Sequence, residues 1–224
     1  MIVEYIEKIT YYLPELGKAL QESGMMLLIS IVIGTIFGLP LGTFVYLAKQ
    51  MPTKSNHFIG VCLNGYINIV RSFPFLLFVV ALIPFTRFVL GTAFGTYAAA
   101  FPLSFVTVAI YARLVEQVLL EVPKDILELA QALGSTKRQL IFRFLYVEAR
   151  SGLVLALTSV VISMVSYSTV MGVVGGGGIG DFALRYGYQR YEYEVMYTAI
   201  VLMIVFVSLI QISGSWAAKR INKK

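Results

Sequence analysis

The sequence predicts an all-α, polytopic membrane protein with five transmembrane helices and a helical cytoplasmic segment between the third and the fourth. Three observations carry that prediction. Of 224 residues, 58% are hydrophobic and only 13% are charged, about half the charged share of a soluble domain. Four runs, residues 25–48, 88–112, 151–179 and 195–218, contain no charged side chain, and each exceeds the roughly 20 residues a helix needs to cross about 30 Å of hydrocarbon. Lysine and arginine, finally, are distributed unevenly between the segments that join these runs.

Taken in order, residues 4–23 are expected to form a helix lying along or entering the outer surface and broken at Pro14. Glu4 and Glu7 stand where a basic n-region would be, so no cleavable signal peptide is predicted. Span one covers approximately 24–48. Its Gly34, Gly38 and Gly42 recur at four-residue spacing, which lets helix backbones approach closely in lipid. That seam serves packing inside the bundle or a contact with a second copy. Residues 57–70 mix polar and apolar side chains, with Asn64 and Asn68 on one helix face, and are placed at the inner interface. Span two, approximately 71–90, is short, but Arg71 and Arg87 bracket it and can snorkel to opposite interfaces. Gly91 and Gly95 mark an external turn. Span three is placed at 96–115, with Pro102 tolerated inside it. A charged segment, 116–150, separates it from span four, at 152–174. Residues 175–180 read as flexible external backbone, and span five is placed at 194–217. The whole of 1–224 reads as one domain.

Orientation follows from charge. Lys49, Lys54, Arg71, Arg113, Lys124, Lys137, Arg138, Arg143, Arg150, Lys219, Arg220, Lys223 and Lys224 fall on one side, and Lys8, Lys18, Arg87, Arg185 and Arg190 on the other. The positive-inside rule places the N-terminus outside, and the C-terminus and the 116–150 segment in the cytoplasm. The formal charge of +6 is this bias. No nucleic-acid partner is predicted, because the basic residues do not cluster with stacking aromatics on a soluble face.

Within the cytoplasmic segment Pro123 suits the first turn of a helix, and Asp125 lies near its positive end. Ile126, Leu129, Ala130 and Leu133 repeat at helical spacing as an apolar face. Gly134 supplies the stop and Ser135 a cap for a second helix carrying Leu140, Ile141, Phe144 and Leu145. The result is a helix–turn–helix with Glu128 exposed beside the small Ala130 and Ala132. Such a hairpin docks into a groove on a soluble partner or closes over the membrane domain's own inner face. Amphipathicity leaves both readings open.

Residues 121–134 resemble the E-A-A–three residues–G loop of ABC-importer permeases of the binding-protein-dependent type. Glu128, Ala130 and Gly134 fit that pattern, whereas Leu129 replaces its first alanine. Phe144, Tyr146 and Val147 stand where the pattern carries isoleucine, leucine and proline. Residues 68–75 (NIVRSFPF), 83–87 (IPFTR), 166–168 (SYS), 175–180 (GGGGIG) and 186–188 (YGY) are similar to the methionine-import permease subfamily, whose compact form also has five spans. The resemblance implies a bacterial cytoplasmic-membrane permease that moves methionine or close analogues inward, as a pair of identical subunits. It implies a cytoplasmic ABC ATPase dimer as partner, with ATP and Mg held there and no cofactor on this chain, and an extracytoplasmic substrate-binding lipoprotein. Pro123, Asp125, Glu128, Ala130, Ala132 and Gly134 then form the ATPase-coupling helix. Ser163, Met164, Tyr167 and Met171 of span four become lining residues of the substrate path, with thioether and aromatic groups offering soft contacts. Read without the resemblance, the span-four hydroxyls simply bond their own backbone or a neighbouring helix.

Other patterns carry less. Gly175, Gly177 and Gly180 match a G-x-G-x-x-G fingerprint, but they follow a run too long for the strand that motif requires. No phosphate-loop motif occurs, so ATP hydrolysis is not expected on this chain. Asp181, Arg185 and Arg190 are placed outside and solvated. His57 and Cys62 are each the only residue of their type, which leaves a membrane-embedded enzyme without a visible catalytic set and no metal site expected. A permease for another amino acid and a passive channel remain as alternatives.

Overall fold

The computed structural model describes residues 2–51 and 54–222. Lys223 and Lys224 of the basic tail lie outside the described residues, as do the side chains of Glu4 and Lys54.

Helix α1 (Ile2–Gln50) is continuous through both Pro14 and Pro40. The break expected at Pro14 does not occur. Tyr12, Leu16 and Ala19 on either side of it are buried against Ile179, Phe182, Val195 and Ala199, and that packing overrides the local cost of a proline in the helix. With 49 residues, α1 runs about 70 Å at 1.5 Å per residue, so it extends well beyond a single bilayer crossing.

Helices α2 (Lys54–Ser72) and α3 (Phe75–Leu90) meet at an angle of 114°. Pro74 explains the corner: it disfavours helical geometry at Phe73 and itself serves as the N-cap of α3. Helix α3 ends on Gly91, whose left-handed φ of 75° lets its N–H bond the Arg87 carbonyl. Helix α4 (Thr96–Leu120) holds the middle of the molecule and makes its most extensive contact with α1. The glycine seam lies here. A Cβ on Gly34 would meet Thr107, on Gly38 Tyr111 and Val108, and on Gly42 the Ala112 carbonyl oxygen at 2.3 Å. All three therefore pack against α4 of the same chain.

After α5 (Lys124–Ala132) the chain enters one long helical column. It comprises α6 (Lys137–Gln139), a π-helical turn at Leu140–Leu145, and α7 (Tyr146–Val173). The helix that carries the apolar run expected as span four thus begins inside the charged segment, at Lys137. Helix α8 (Gly178–Phe182) and a second π-helical stretch (Ala183–Tyr188) lead into α9 (Tyr193–Ile221). Among the described residues four helical columns are long and apolar enough to cross a membrane, and five crossings result if the bent α2–α3 pair counts as one.

The glycine-rich stretch after α7 is not loose backbone. Glu22 accepts the Gly178 N–H at 2.8 Å and Ser23 accepts the Ile179 N–H at 2.9 Å, while a Cβ on Gly180 would lie 2.0 Å from the Thr169 carbonyl oxygen. The glycines are needed for close approach to α1 and α7.

Candidate functional site

Helix α5 is tied to α4 at its start and closed by its own cap at its end. At its start the chain turns tightly out of α4, with the Glu121 N–H bonding the Val118 carbonyl and the Val122 N–H bonding that of Leu119. Leu119 and Val122 are buried there. Pro123 sits one position earlier than expected, as the N-cap, and Asp125 lies in the first turn. At its end the Ser135 N–H reaches back to the Ala130 carbonyl and the Gly134 N–H to that of Gln131. This is the paired closure that a glycine at φ 64° permits. The cap of the next helix is Thr136, not Ser135. Its hydroxyl accepts the Gln139 N–H while the Gln139 side chain accepts the Thr136 N–H.

The faces of α5 divide differently from the expected pattern. Ala130 is fully buried with Leu140 and Leu145 in the main core, and Ile126 and Leu127 pack beside it. Leu129 and Leu133 point away from the molecule, 52% and 67% exposed, alongside exposed Asp125, Glu128 and Ala132. Ala130 is therefore a packing residue of the hairpin, and the outward surface is built from the other side of the helix. A helix of nine residues shows its outward leucines and its inward ones at the same rough spacing, so periodicity alone did not separate them.

One turn before the α4–α5 corner lies a group that sequence reasoning missed. Glu116 is 1% exposed. Its Oε1 meets Lys49 Nζ at 2.6 Å and its Oε2 meets Arg113 Nη1 at 2.7 Å. Arg113 Nη2 in turn donates to Asn68 Oδ1 at 2.7 Å. The signal available was a lone carboxylate in an otherwise apolar helix, a residue that must be paired to stay buried.

The span-four residues separate into two layers. Met164 and Met171 are buried, at 0% and 2% exposure, and Met164 sulfur lies 2.9 Å from the Thr107 hydroxyl oxygen. In front of them Ser163 and Tyr167 are half-buried. Ser163 bonds the Ser159 carbonyl at 2.9 Å, and Tyr167 stacks on Phe75 of α3 with ring centroids 4.4 Å apart. Of the four side chains, only those of Ser163 and Tyr167 are partly accessible.

At the opposite end from α5 a polar cavity of about 540 Å³ opens between α1, the glycine turn and α8, with Glu15, Glu22, Lys18, Asp181 and Arg185 on its walls. Asp181 and Arg185 are paired at 2.8 Å, and Arg190 lies over the Tyr186 ring at 4.8 Å. Asp181 and Arg185 are thus engaged with each other, and Arg190 with an aromatic ring, rather than merely solvated. Among the described residues no group of His, Cys, Asp and Glu could hold a metal ion.

Comparison with known proteins places this geometry. The chain is 39% identical to the probable D-methionine transport system permease protein MetI of Vibrio cholerae, over 89% of this chain and 88% of that one. It is 33% identical to the methionine import system permease protein MetP of Bacillus subtilis, over 80% and 81%. Its fold superposes with a TM-score of 0.90 on a structure of the MetNI methionine ABC transporter in inward-facing conformations, at 35% identity, covering 95% of this chain and 98% of that chain. A crystal structure of an amino-acid ABC transporter with histidines shares the fold, with a TM-score of 0.77 at 20% identity. Residues 34–224 match the family described as the binding-protein-dependent transport system inner membrane component, and the chain, a multi-pass inner-membrane permease subunit and not an enzyme, belongs to that family.

Proposed function

We propose that this chain is the membrane permease subunit of an ATP-driven importer that carries methionine, in either enantiomer or as close analogues, into the cytoplasm. The observation that carries the mechanism is the outward face of α5. Asp125, Glu128, Leu129, Ala132 and Leu133 project from a helix that is joined to α4 by the hydrogen-bonded Glu121–Val122 turn and packs through Ala130 with Leu140 and Leu145 of the π-helical turn. A solvent-facing apolar pair rimmed by carboxylates is suited to a groove on another protein. An ABC ATPase dimer holding ATP and Mg supplies that groove. The substrate preference rests on the relatives and on the MetNI likeness.

In this reading two copies of the chain form the path and a substrate-binding lipoprotein delivers the ligand at the end bearing the polar cavity. The N-terminus is outside, the C-terminus is cytoplasmic, and the chain is a single domain with five crossings. Nucleotide-driven movement of the ATPases displaces α5, and α4 and the α6–α7 column follow as rigid rods. Ser163 and Tyr167 line the path, with Met164 and Met171 as the layer supporting them.

The test uses the full assembly in proteoliposomes with labelled methionine and competing amino acids. ATP-dependent methionine uptake, competed by methionine above all others, is expected. Equal or stronger competition by a different amino acid would reassign the substrate, and flux without ATP would reduce the chain to a channel. Ala132→Trp fills the outward face and is expected to cut uptake about tenfold or more, the scale of a lost coupling between sites, while the permease still inserts. Unimpaired transport by that variant counts against docking on α5.

A further inference from the structure

The Glu116 cluster touches three helices with one carboxylate, and no part of the proposed path or docking face uses it. Lys49 belongs to the last turn of α1, Arg113 and Glu116 to α4, and Asn68 to α2. The two carboxylate oxygens are divided between partners, Oε1 to Lys49 and Oε2 to Arg113. Glu116 thus ties the end of α4 to α1 through Oε1, and through Oε2 it holds Arg113, a neighbour on its own helix, in the orientation that bonds Asn68 of α2 at 2.7 Å. Each contact is a short charge-assisted bond or a bond from a charged donor, stronger than a neutral hydrogen bond.

The position of the cluster matters as much as its bonds. Glu116 lies one helical turn from Leu120, where α4 ends, and the Glu121–Val122 turn that follows is hydrogen-bonded, with Val122 buried and Glu121 exposed. Only one helical turn and that bonded corner separate Glu116 from α5. On the far side, α2 continues through the Pro74 corner into α3, whose first residue, Phe75, stacks on Tyr167. A continuous chain of contacts thus runs from the outward helix through Glu116, Arg113 and Asn68 to α2, and from α2 to the aromatic pair beside the path. A simple packing role would be served as well by apolar side chains of similar volume, because burying a carboxylate is costly even when it is paired.

We infer that Glu116 is a positioning residue of the transport cycle: by pairing Lys49 and orienting Arg113 it keeps the end of α4 in register with α1 and α2 when α5 is displaced. The inference rests on the reading of α5 as the ATPase-docking helix. Spans three and four are then only part of the moving unit, and the corner at Phe73–Pro74 is its other end.

The complete assembly, reconstituted with its ATPase, tests this by measuring ATP hydrolysis and methionine uptake side by side. Glu116→Gln keeps the shape and removes the charge. It is expected to leave hydrolysis within about twofold of the parent while uptake falls about tenfold, the size of a typical coupling between sites. Lys49→Met and Asn68→Ala, each leaving the carboxylate at least one partner, are expected to lower the ratio of uptake to hydrolysis in the same direction by less. Their effects should be non-additive with Glu116→Gln, as for residues of one network, and Lys49→Arg should restore the ratio. Equal losses of uptake and hydrolysis in all variants, or an unchanged ratio in Lys49→Met and Asn68→Ala, would overturn the inference even if Glu116→Gln failed to assemble. If Ala132→Trp uncouples while the Glu116 network variants do not, the docking reading stands and this inference alone fails.

Discussion

Helices α4 and α9 are both membrane-crossing by length and composition, yet they occupy opposite environments. In α4, 72% of the most apolar window is buried inside the chain; in α9 the share is 11%. The buried helix is the less apolar of the two. Its interior positions include Ala98, Ala99, Ala100, Ser104, Thr107, Ala109, Ala112 and Glu116, whereas α9 shows Val201, Ile204, Val205, Leu209 and Ile212 outward. Lipid solvates a leucine as well as a protein interior does, so apolarity does not drive a helix inward in a bilayer. What drives it is close packing through small residues and the satisfaction of polar groups that lipid cannot serve. Ser104 and Thr107 bond the carbonyls four residues earlier at 2.7 Å, and Glu116 finds two cations.

If that contrast is right, added bulk should be most damaging where α1 meets α4. Gly42→Leu places a side chain against the Ala112 carbonyl oxygen, 2.3 Å from the new Cβ, and against Val115. Backbone cannot step aside as a flexible side chain can. A loss of about 3 kcal/mol, at the upper end of overpacking costs, is expected, read as a large drop in the melting temperature of the detergent-solubilised protein. A melt unchanged by Gly42→Leu would mean that the α1–α4 seam opens without cost.

An intermediate effect belongs to a place where α9 comes equally close to its neighbour. A Cβ on Gly214 would lie 2.1 Å from Thr158 Oγ1 and 2.4 Å from its Cγ2. Here the obstacle is a side chain, although its hydroxyl is held by the Val154 carbonyl at 2.8 Å. Gly214→Ala should therefore cost about 1–2 kcal/mol in the same melting assay. A Gly214→Ala loss as large as that of Gly42→Leu would show that α9 is as tightly integrated as α4.

The same contrast explains which features were legible in the sequence. Apolar runs reveal that helices cross, and the all-α architecture, the glycine seam of α1 and the Gly134 stop all follow from residue types whose physics is local. Orientation within the bundle is not local. Met164 and Met171 share a helical face with Tyr167, so nothing in the spacing shows that α4 covers the first two and leaves the third half-open. Ala130 and Ala132 are equally small, and only the course of the chain through Leu140–Leu145 decides that one is buried and the other exposed. Residues 175–180 look unstructured by composition, since glycine permits looseness and close contact alike. Contacts with Glu22 and Ser23, more than 150 residues away, decide for contact. Glu116 was legible in principle as a charge with no solvent to face, but its partners on α1 and α2 were not.

The smallest effect is expected on the outer face of α9, where Leu209 is 61% exposed. Leu209→Ala removes apolar surface that lipid replaces on both sides of the unfolding equilibrium, so neither a transfer loss nor a cavity arises, in contrast to a truncation in a packed core. The change in melting should stay within about 0.5 kcal/mol. The measurement is best made on the permease alone and again on the assembled transporter. A loss confined to the assembly would identify this face of α9 as one that another subunit covers. A loss in the isolated chain would contradict the rule that separates α9 from α4, because it would require protein, not lipid, to be the solvent of Leu209.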